Sequence, residues 1–285
     1  MNMNLIVTNQ ERLGDLKKSI AAAGVQNLHI LADFDRTVTK AFVNGESTPS
    51  LISILRDGNY LTPDYAERAQ ALYRKYHPIE IDPDIPLLDK KKTMEEWWLT
   101  HFDLLIESKL NKKDLQKIID SGKIEFRDGA LDFFDFLREN SIPLVIMSSS
   151  GLGGDVIKMY LTKEGVMSGN IHIISNSYEW DAEGFAVSIK KPIIHAMNKD
   201  ETMVRDFPAI FEIIKTRKNV ILLGDSLGDV GMIEGFEYNT LIKIGFLNEA
   251  VENNLEAYKK NYDVLLLNDP SMDYVNTLLR DIMNK

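Results

Sequence analysis

Six short apolar runs, each of strand length and almost unbroken, limit what this chain can fold into. They lie at 27–34 (NLHILADF), 143–149 (PLVIMSS), 170–175 (NIHIIS), 219–224 (NVILLG), 240–245 (TLIKIG) and 263–267 (DVLLL). A strand wetted on one face alternates apolar and polar residues. A run that is apolar on both faces is buried on both, as in a parallel sheet covered by helices. Helical patterns separate several of the runs, at 129–140, 153–164, 192–199 and 202–216. A further amphipathic segment, 10–23, stops at Gly24, where a helix C-cap belongs. Repeated strand, helix, strand order predicts an α/β fold with a doubly wound parallel, Rossmann-like sheet.

One region breaks the alternation. Residues 46–127 hold no comparable run but several helical patterns: TPDYAERAQALYRKYH, MEEWWLTHFDLLIESKL and NKKDLQKIIDSG, with the proline-punctuated, extended-looking PIEIDPDIPLLD between the first two. This predicts a helical cap domain over 46–127 inserted into an α/β core made of 1–45 and 128–285. Residues 176–189 read as a hairpin, with turn chemistry at 181–184.

Composition narrows the function. The chain has 285 residues, 44% of them hydrophobic, which is enough for a sizeable core. Lys plus Arg is 33 against 43 for Asp plus Glu, a net charge of −10, which argues against a partner bound through a phosphate backbone. There is no cysteine, so disulfides, thiolate metal sites and cysteine nucleophiles are excluded. No apolar stretch is long enough to cross a bilayer, and the first residues lack the pattern of a secretory signal. The expectation is a cytoplasmic protein acting on a small molecule, with neither nucleic acid nor membrane as partner.

Four polar motifs follow the buried runs. Asp33 and Asp35, in DFDRT, lie two residues apart after the first run and so share a face; as a bland alternative they form an Asx turn at the strand end. Asp225 and Asp229, in GDSLGD, follow the 219–224 run and can converge, or they can simply cap a helix. Carboxylates from two strand ends make a hard-oxygen site suited to magnesium. Ser148, Ser149 and Ser150, with the glycines after them, offer hydroxyls and free N–H groups to an anion, or an ordinary strand-to-helix turn. Lys190 and Lys191, before Pro192, supply one lysine to neutralise phosphate or a solvated pair.

In this order the four motifs resemble those of the haloacid dehalogenase superfamily of phosphohydrolases. The segments YRKYHPIEIDPDIPLLDKKKTMEEWW, IIHAMNKDE and LLGDSLGDVGM, with IKIGFLN, are similar to the cytosolic pyrimidine 5′-nucleotidases of type III. The resemblance implies Asp33 as nucleophile and Asp35 as general acid, then base. It implies magnesium on Asp33, Asp35 and Asp225 with Asp229 in support, phosphate held by Ser148 or Ser149, and a phosphate-binding lysine at Lys190, with Lys191 as the alternative. It also places Glu96 and Trp97 against a nucleobase, although tryptophans at helical spacing are equally core residues and an adjacent glutamate is equally a solvated face. The loop SSSGLGGD is longer and richer in serine than the family pattern. The implied activity is magnesium-dependent hydrolysis of nucleoside 5′-monophosphates, preferably pyrimidine, through an aspartyl-phosphate. The competing readings are a phosphatase for another small phosphate, such as phosphoserine or a sugar phosphate, and a catalytically silent phosphate-binding module.

Overall fold

The computed structural model describes residues 4–82, 84–199, 207–234 and 236–283. Its main sheet has seven strands: β1 (Leu5–Val7), β2 (Leu28–Ala32), β5 (Leu144–Ser148), β6 (Ile171–Ser175), β9 (Asn219–Gly224), β10 (Thr240–Leu247) and β11 (Val264–Leu267). They are ordered β1-β11-β10-β9-β2-β5-β6. Each of the six apolar runs forms one of these strands, and all six pair in parallel. β1 is an antiparallel edge strand on β11 that the sequence did not announce, since three residues cannot establish a period.

From β2 the chain first winds out through β5 to β6, then returns to the other side of β2 for β9, β10 and β11. This is the doubly wound order. The crevice lies beyond the carboxyl ends of the strands where the winding reverses, here β2, β5 and β9. All five residues of β2, all five of β5 and all six of β9 are buried. Burial of each Leu, Ile or Val there contributes about 1.5–3 kcal/mol, which fixes the register that delivers the following loops to one place.

Helices cover the sheet: α1 (Gln10–Ala23), α6 (Ala130–Glu139), α7 (Gly153–Lys163), α8 (Pro208–Ile214), α9 (Val251–Asn261) and α10 (Asp273–Ile282). α1 starts on Asn9, whose side chain accepts from Arg12 N, and stops at Gly24 with φ 82°. Gly153, at the start of α7, has φ 75°, and a Cβ there would stand 2.6 Å from the Asn176 carbonyl oxygen. Gly153→Ala would therefore push α7 off the strand that it covers.

Between the strands of the main sheet lie a small hairpin, β3 (Phe42–Val43) with β4 (Glu46–Ser47), and four helices: α2 (Leu51–Asp57), α3 (Tyr65–Ile81), α4 (Leu87–Glu107) and α5 (Lys112–Asp120). α3 carries Pro78 inside it, so most of PIEIDPDIPLLD is helical where extended chain was expected. The expected hairpin forms β7 (Ser177–Trp180) and β8 (Ala186–Lys190).

A second correction falls at 192–199, which is a run of turns and not a helix. Side chains hold it in place. Asn176 accepts from Ile194 N and donates to Ile194 O, both at 2.9 Å. Asn198 accepts from His195 N at 2.7 Å and donates to Ile193 O at 2.9 Å. Of the helix expected at 202–216, residues 202–206 lie outside the described residues, and the rest holds α8.

Candidate active site

The ends of β2, β5 and β9 and the 192–199 segment line a cavity of about 170 Å³ that includes Asp33, Asp35, Ser148, Ser149, Lys199, Asp225 and Asp229. Asp33 N donates to Leu223 O at 3.0 Å, so the β2–β9 ladder runs up to the residue that carries the carboxylate. Three of the four sequence motifs, which stood apart by nearly 200 residues, thus meet in one place.

The cation at their centre is Lys199, not Lys190 or Lys191. Lys199 is 7% exposed; its ammonium donates to Asp33 Oδ1 and, at 2.8 Å, to Asp229 Oδ1. Lys190 ends β8 opposite Ser177, and both it and Lys191 are exposed and absent from the cavity. The reason is geometric. The β7–β8 hairpin leaves the sheet, and the chain returns to the cavity only after the side-chain-bonded turn at 193–198. Burial alone would lower the Lys199 ammonium, but the charges and hydrogen bonds of Asp229 and Asp33 outweigh it and raise its pKa, so the lysine stays charged.

The carboxylates differ in their state. Asp229 is saturated: Oδ2 accepts from Asp225 N at 3.1 Å, and from Ser226 N and Ser226 Oγ at 2.9 Å each, while Oδ1 takes Lys199. It closes a capping box on the 3-10 turn Leu227–Ile233. The Asp33 Oδ2 atom and the Asp225 carboxylate accept no hydrogen bond among the described residues. Burial pushes Asp33 and Asp225 upward, reinforced by neighbouring acids and opposed by Lys199. Burial likewise lifts Asp35 to about 6, against the pull of Lys199 and Arg36.

One oxygen each of Asp33, Asp225 and Asp229 lies within 4.8 Å of the others. Free, desolvated carboxylate oxygens with a single lysine between them suit a hard divalent cation. Ser148 and Ser149 stand at the opposite wall. Ser148 Oγ accepts from Ser150 N at 3.1 Å, and Ser150 Oγ accepts from Leu152 N at 3.2 Å, so neither bond uses a hydroxyl proton; Ser148 lines the cavity and can donate to an anion there, whereas Ser150 does not line it.

Arg36, Ser149 and Ala196 also line a second, larger cavity of about 400 Å³, which opens beside the first. Its far wall is aromatic. Tyr76 stacks on Trp97 (5.6 Å, 13°), Trp97 on Trp98 (6.0 Å, 11°) and Trp98 on His101 (6.0 Å, 11°), with Tyr73 stacked on His77 at 4.6 Å. Trp97, Trp98 and His101 share one face of α4 by helical spacing, so Trp97 lines this cavity as the sequence suggested. Glu96 does not. One step earlier on the helix, it turns toward α3, where Oε1 accepts from Tyr76 Oη at 2.5 Å and Lys75 Nζ at 3.3 Å; these bonds hold its carboxyl below its usual range. The carboxylate that does line the cavity is Glu80, which accepts from His77 Nδ1 at 3.1 Å. Trp97 Nε1 is buried and makes no hydrogen bond among the described residues.

A profile of the pyrimidine 5′-nucleotidase family (UMPH-1) matches residues 36–283. The chain belongs to the pyrimidine 5′-nucleotidase family. Within that family, the 7-methylguanosine phosphate-specific 5′-nucleotidase of Gallus gallus is 34% identical over 278 residues, 97% of this chain and 95% of the relative. The Homo sapiens protein of the same name is 33% identical over 284 residues, 99% and 94% of the two chains. The crystal structure of cytosolic 5′-nucleotidase IIIB bound to cytidine superposes with a TM-score of 0.88 at 27% identity, covering all of this chain and 95% of that one. A phosphoserine phosphatase trapped as an analogue of its phospho-aspartyl intermediate shares the fold, with a TM-score of 0.51 at 14% identity over 88% of this chain and 97% of that one. This member of the 5′-nucleotidase family is therefore a phosphatase, built on the haloacid dehalogenase-like fold that the motifs implied.

Proposed function

We propose that the chain hydrolyses nucleoside 5′-monophosphates to nucleoside and phosphate, with magnesium, through an aspartyl-phosphate on Asp33. The observation that carries this reading is the junction of the two cavities. A small, charged pocket with one lysine and free carboxylate oxygens opens directly onto an aromatic pocket large enough for a nucleoside.

In this scheme Asp33 Oδ2 attacks phosphorus, and the bond to the nucleoside O5′ breaks as Asp35 donates a proton to it. The carboxyl of Asp35, raised to about 6, is partly protonated near neutral pH, as a proton donor must be. Asp35 then takes a proton from the water that releases phosphate. Lys199, Ser148 and Ser149 orient and neutralise the phosphoryl oxygens, and Lys199 takes the role that the sequence had assigned to Lys190 or Lys191. Asp33, Asp225 and the main-chain carbonyl of Asp35 would hold magnesium, which supplies positive charge against the transferring group. Asp229, already saturated, positions Lys199 and the Asp225 loop.

The helices α2–α5 act as a cap that selects the leaving group, with Trp97 and its neighbours stacking on the base and Glu96, whose Oε2 is free of hydrogen bonds, accepting from it once its side chain turns from Tyr76 toward the cavity. Pyrimidine nucleotides are the first reading. The names of the relatives and the ring ladder, which suits a cationic base, favour 7-methylguanosine 5′-monophosphate as the second. The solved structure that superposes with a TM-score of 0.88 is named a cytosolic 5′-nucleotidase, and a cytoplasmic site of action is proposed on that ground.

The experiment is a substrate panel of CMP, UMP, GMP, 7-methylguanosine 5′-monophosphate, phosphoserine and ribose 5-phosphate, run with magnesium and with excess chelator. Nucleotides should lead the panel, and chelation should abolish turnover. Equal rates on phosphoserine would favour the general phosphatase reading, and no turnover on any substrate would favour the silent binding module.

A further inference from the structure

Arg127, just before α6, is the most deeply buried arginine of the described chain, at 2% exposure, and lies far in sequence from every motif considered above. All five of its guanidinium protons are used. Nε donates to Thr37 O at 2.7 Å. Nη1 donates to Asp269 Oδ1 at 2.6 Å and Pro270 O at 2.9 Å. Nη2 donates to Arg36 O and, at 2.8 Å, to Asn248 Oδ1. Its plane also lies over the Phe246 ring, 4.4 Å from the centroid.

Two of those acceptors, the carbonyls of Arg36 and Thr37, belong to the turn that immediately follows Asp35. Arg36 has φ 58°, a left-handed conformation that a non-glycine residue adopts only when its surroundings impose it. Those surroundings are visible. Asn248 Nδ2 gives the Arg36 carbonyl a second donor at 3.0 Å, and Asp269, itself at φ 51°, accepts from Ala41 N and Phe42 N at 2.8 and 2.9 Å just beyond the turn. Charge supports the arrangement. Burial pulls Arg127 down to about 10, opposed by Asp269, so it stays ionised at neutral pH.

We infer that Arg127, with Asn248 and Asp269, is a positioning assembly for the phosphoryl-transfer step: it locks the strained turn at Arg36 and thereby fixes the direction in which Asp35 presents its proton to the leaving oxygen. Lysine cannot replace it, since an ammonium has three donors and no planar fork with which to hold two successive carbonyls and a carboxylate. The inference rests on the proposed role of Asp35 as proton donor.

The test uses two substrates of nearly equal size that do not reach the aromatic cavity, phenyl phosphate and 4-nitrophenyl phosphate. The phenolate leaving group needs a proton far more than the nitrophenolate does. In the magnesium-loaded enzyme, Asp35→Asn should lower kcat/KM on phenyl phosphate far more than on 4-nitrophenyl phosphate. Asn248→Ala and Arg127→Lys should do the same to a smaller degree: about tenfold or more on phenyl phosphate and less than about threefold on 4-nitrophenyl phosphate. A purely structural role would lower both substrates equally, or lower only the melting temperature recorded alongside, and either result overturns the inference. Should Arg127→Lys fail to fold, Asn248→Ala, which removes one donor to the Arg36 carbonyl, decides the matter. If Asp35→Asn itself leaves the ratio of the two substrates unchanged, the proton-donor reading fails first, and the positioning role falls with it.

Discussion

At the carboxyl edge of the sheet, Asp33, Lys199 and Asp229 are buried and bonded to one another, and Asp229 has no acceptor capacity left. Across the same opening, the aromatic wall of α3 and α4 leaves Tyr73, His77, Trp97 and Trp98 half-buried beside buried Tyr76 and His101, and the Trp97 N–H has no partner among the described residues. The first region is preorganised for one kind of chemistry, because fixed charges need no reorganisation as the phosphoryl group moves. The second leaves ring faces half-exposed, as a surface must if it is to take up a base. Reaction and selection are therefore separable, and substitutions in the two regions should fail in different ways.

The largest difference is expected at the lysine. Lys199→Met should lower kcat by about a hundredfold or more, whereas Lys190→Ala and Lys191→Ala should stay within about twofold of wild type. Removing one partner of a buried ion pair also costs about 3–5 kcal/mol, so Lys199→Met should melt well below wild type in chelator and recover part of that loss with magnesium. Steady-state kinetics and melting curves of the three variants check this. A Lys190 or Lys191 variant as damaged as Lys199→Met would contradict the assignment.

A smaller, selective loss is expected in the aromatic region. Glu96→Gln should lose about tenfold in kcat/KM on the preferred nucleotide and almost nothing on 4-nitrophenyl phosphate. Glu80→Gln, at the carboxylate that lines the cavity beside His77, should lose less. The reverse order would move base reading to Glu80, and an equal loss on both substrates would make Glu96 a surface residue.

The two regions were also unequally legible in the sequence. Asp33, Asp35, Asp225 and Asp229 could be read because each follows an apolar run that can only be a buried strand, and a parallel sheet delivers its strand ends to one edge. Lys199 could not. It follows turns held by Asn176 and Asn198, whose hydrogen bonds leave no periodic trace, and the Lys190-Lys191-Pro192 triplet gave a stronger local signal. The available cue was a single lysine closing the apolar stretch IIHAM. Glu96 and Trp97 were legible as neighbours on a helix, but a helix turns about 100° per residue, and only packing against Tyr76 and Lys75 decides which of the two faces the cavity. Arg127 had no motif at all, since its partners are backbone carbonyls.

A separate effect, on stability and not on rate, concerns pH. Burial, aided by Arg56, lowers His101 to about 4 in the folded protein, where its Nε2 lies 3.1 Å from Tyr65 Oη. A histidine depressed below its unfolded value of about 6.5 stabilises the fold fully above that pH, and the contribution is lost as pH falls toward 4. The stability of wild type relative to His101→Asn should therefore shrink by about 2–3 kcal/mol between pH 7 and pH 4. Denaturant melts at the two pH values measure it, and an unchanged difference would mean that His101 is not held neutral.

The most direct test of the central claim is to quench turnover with acid and locate the phosphoryl group by peptide mass spectrometry. The account predicts one added phosphoryl group on the peptide that contains Asp33, present in wild type, increased in Asp35→Asn with 4-nitrophenyl phosphate, whose leaving group needs little protonation while the release step is slowed, and absent from Asp33→Asn. A phosphoryl group on Ser148 or Ser149, or turnover by Asp33→Asn near the wild-type rate, would contradict it.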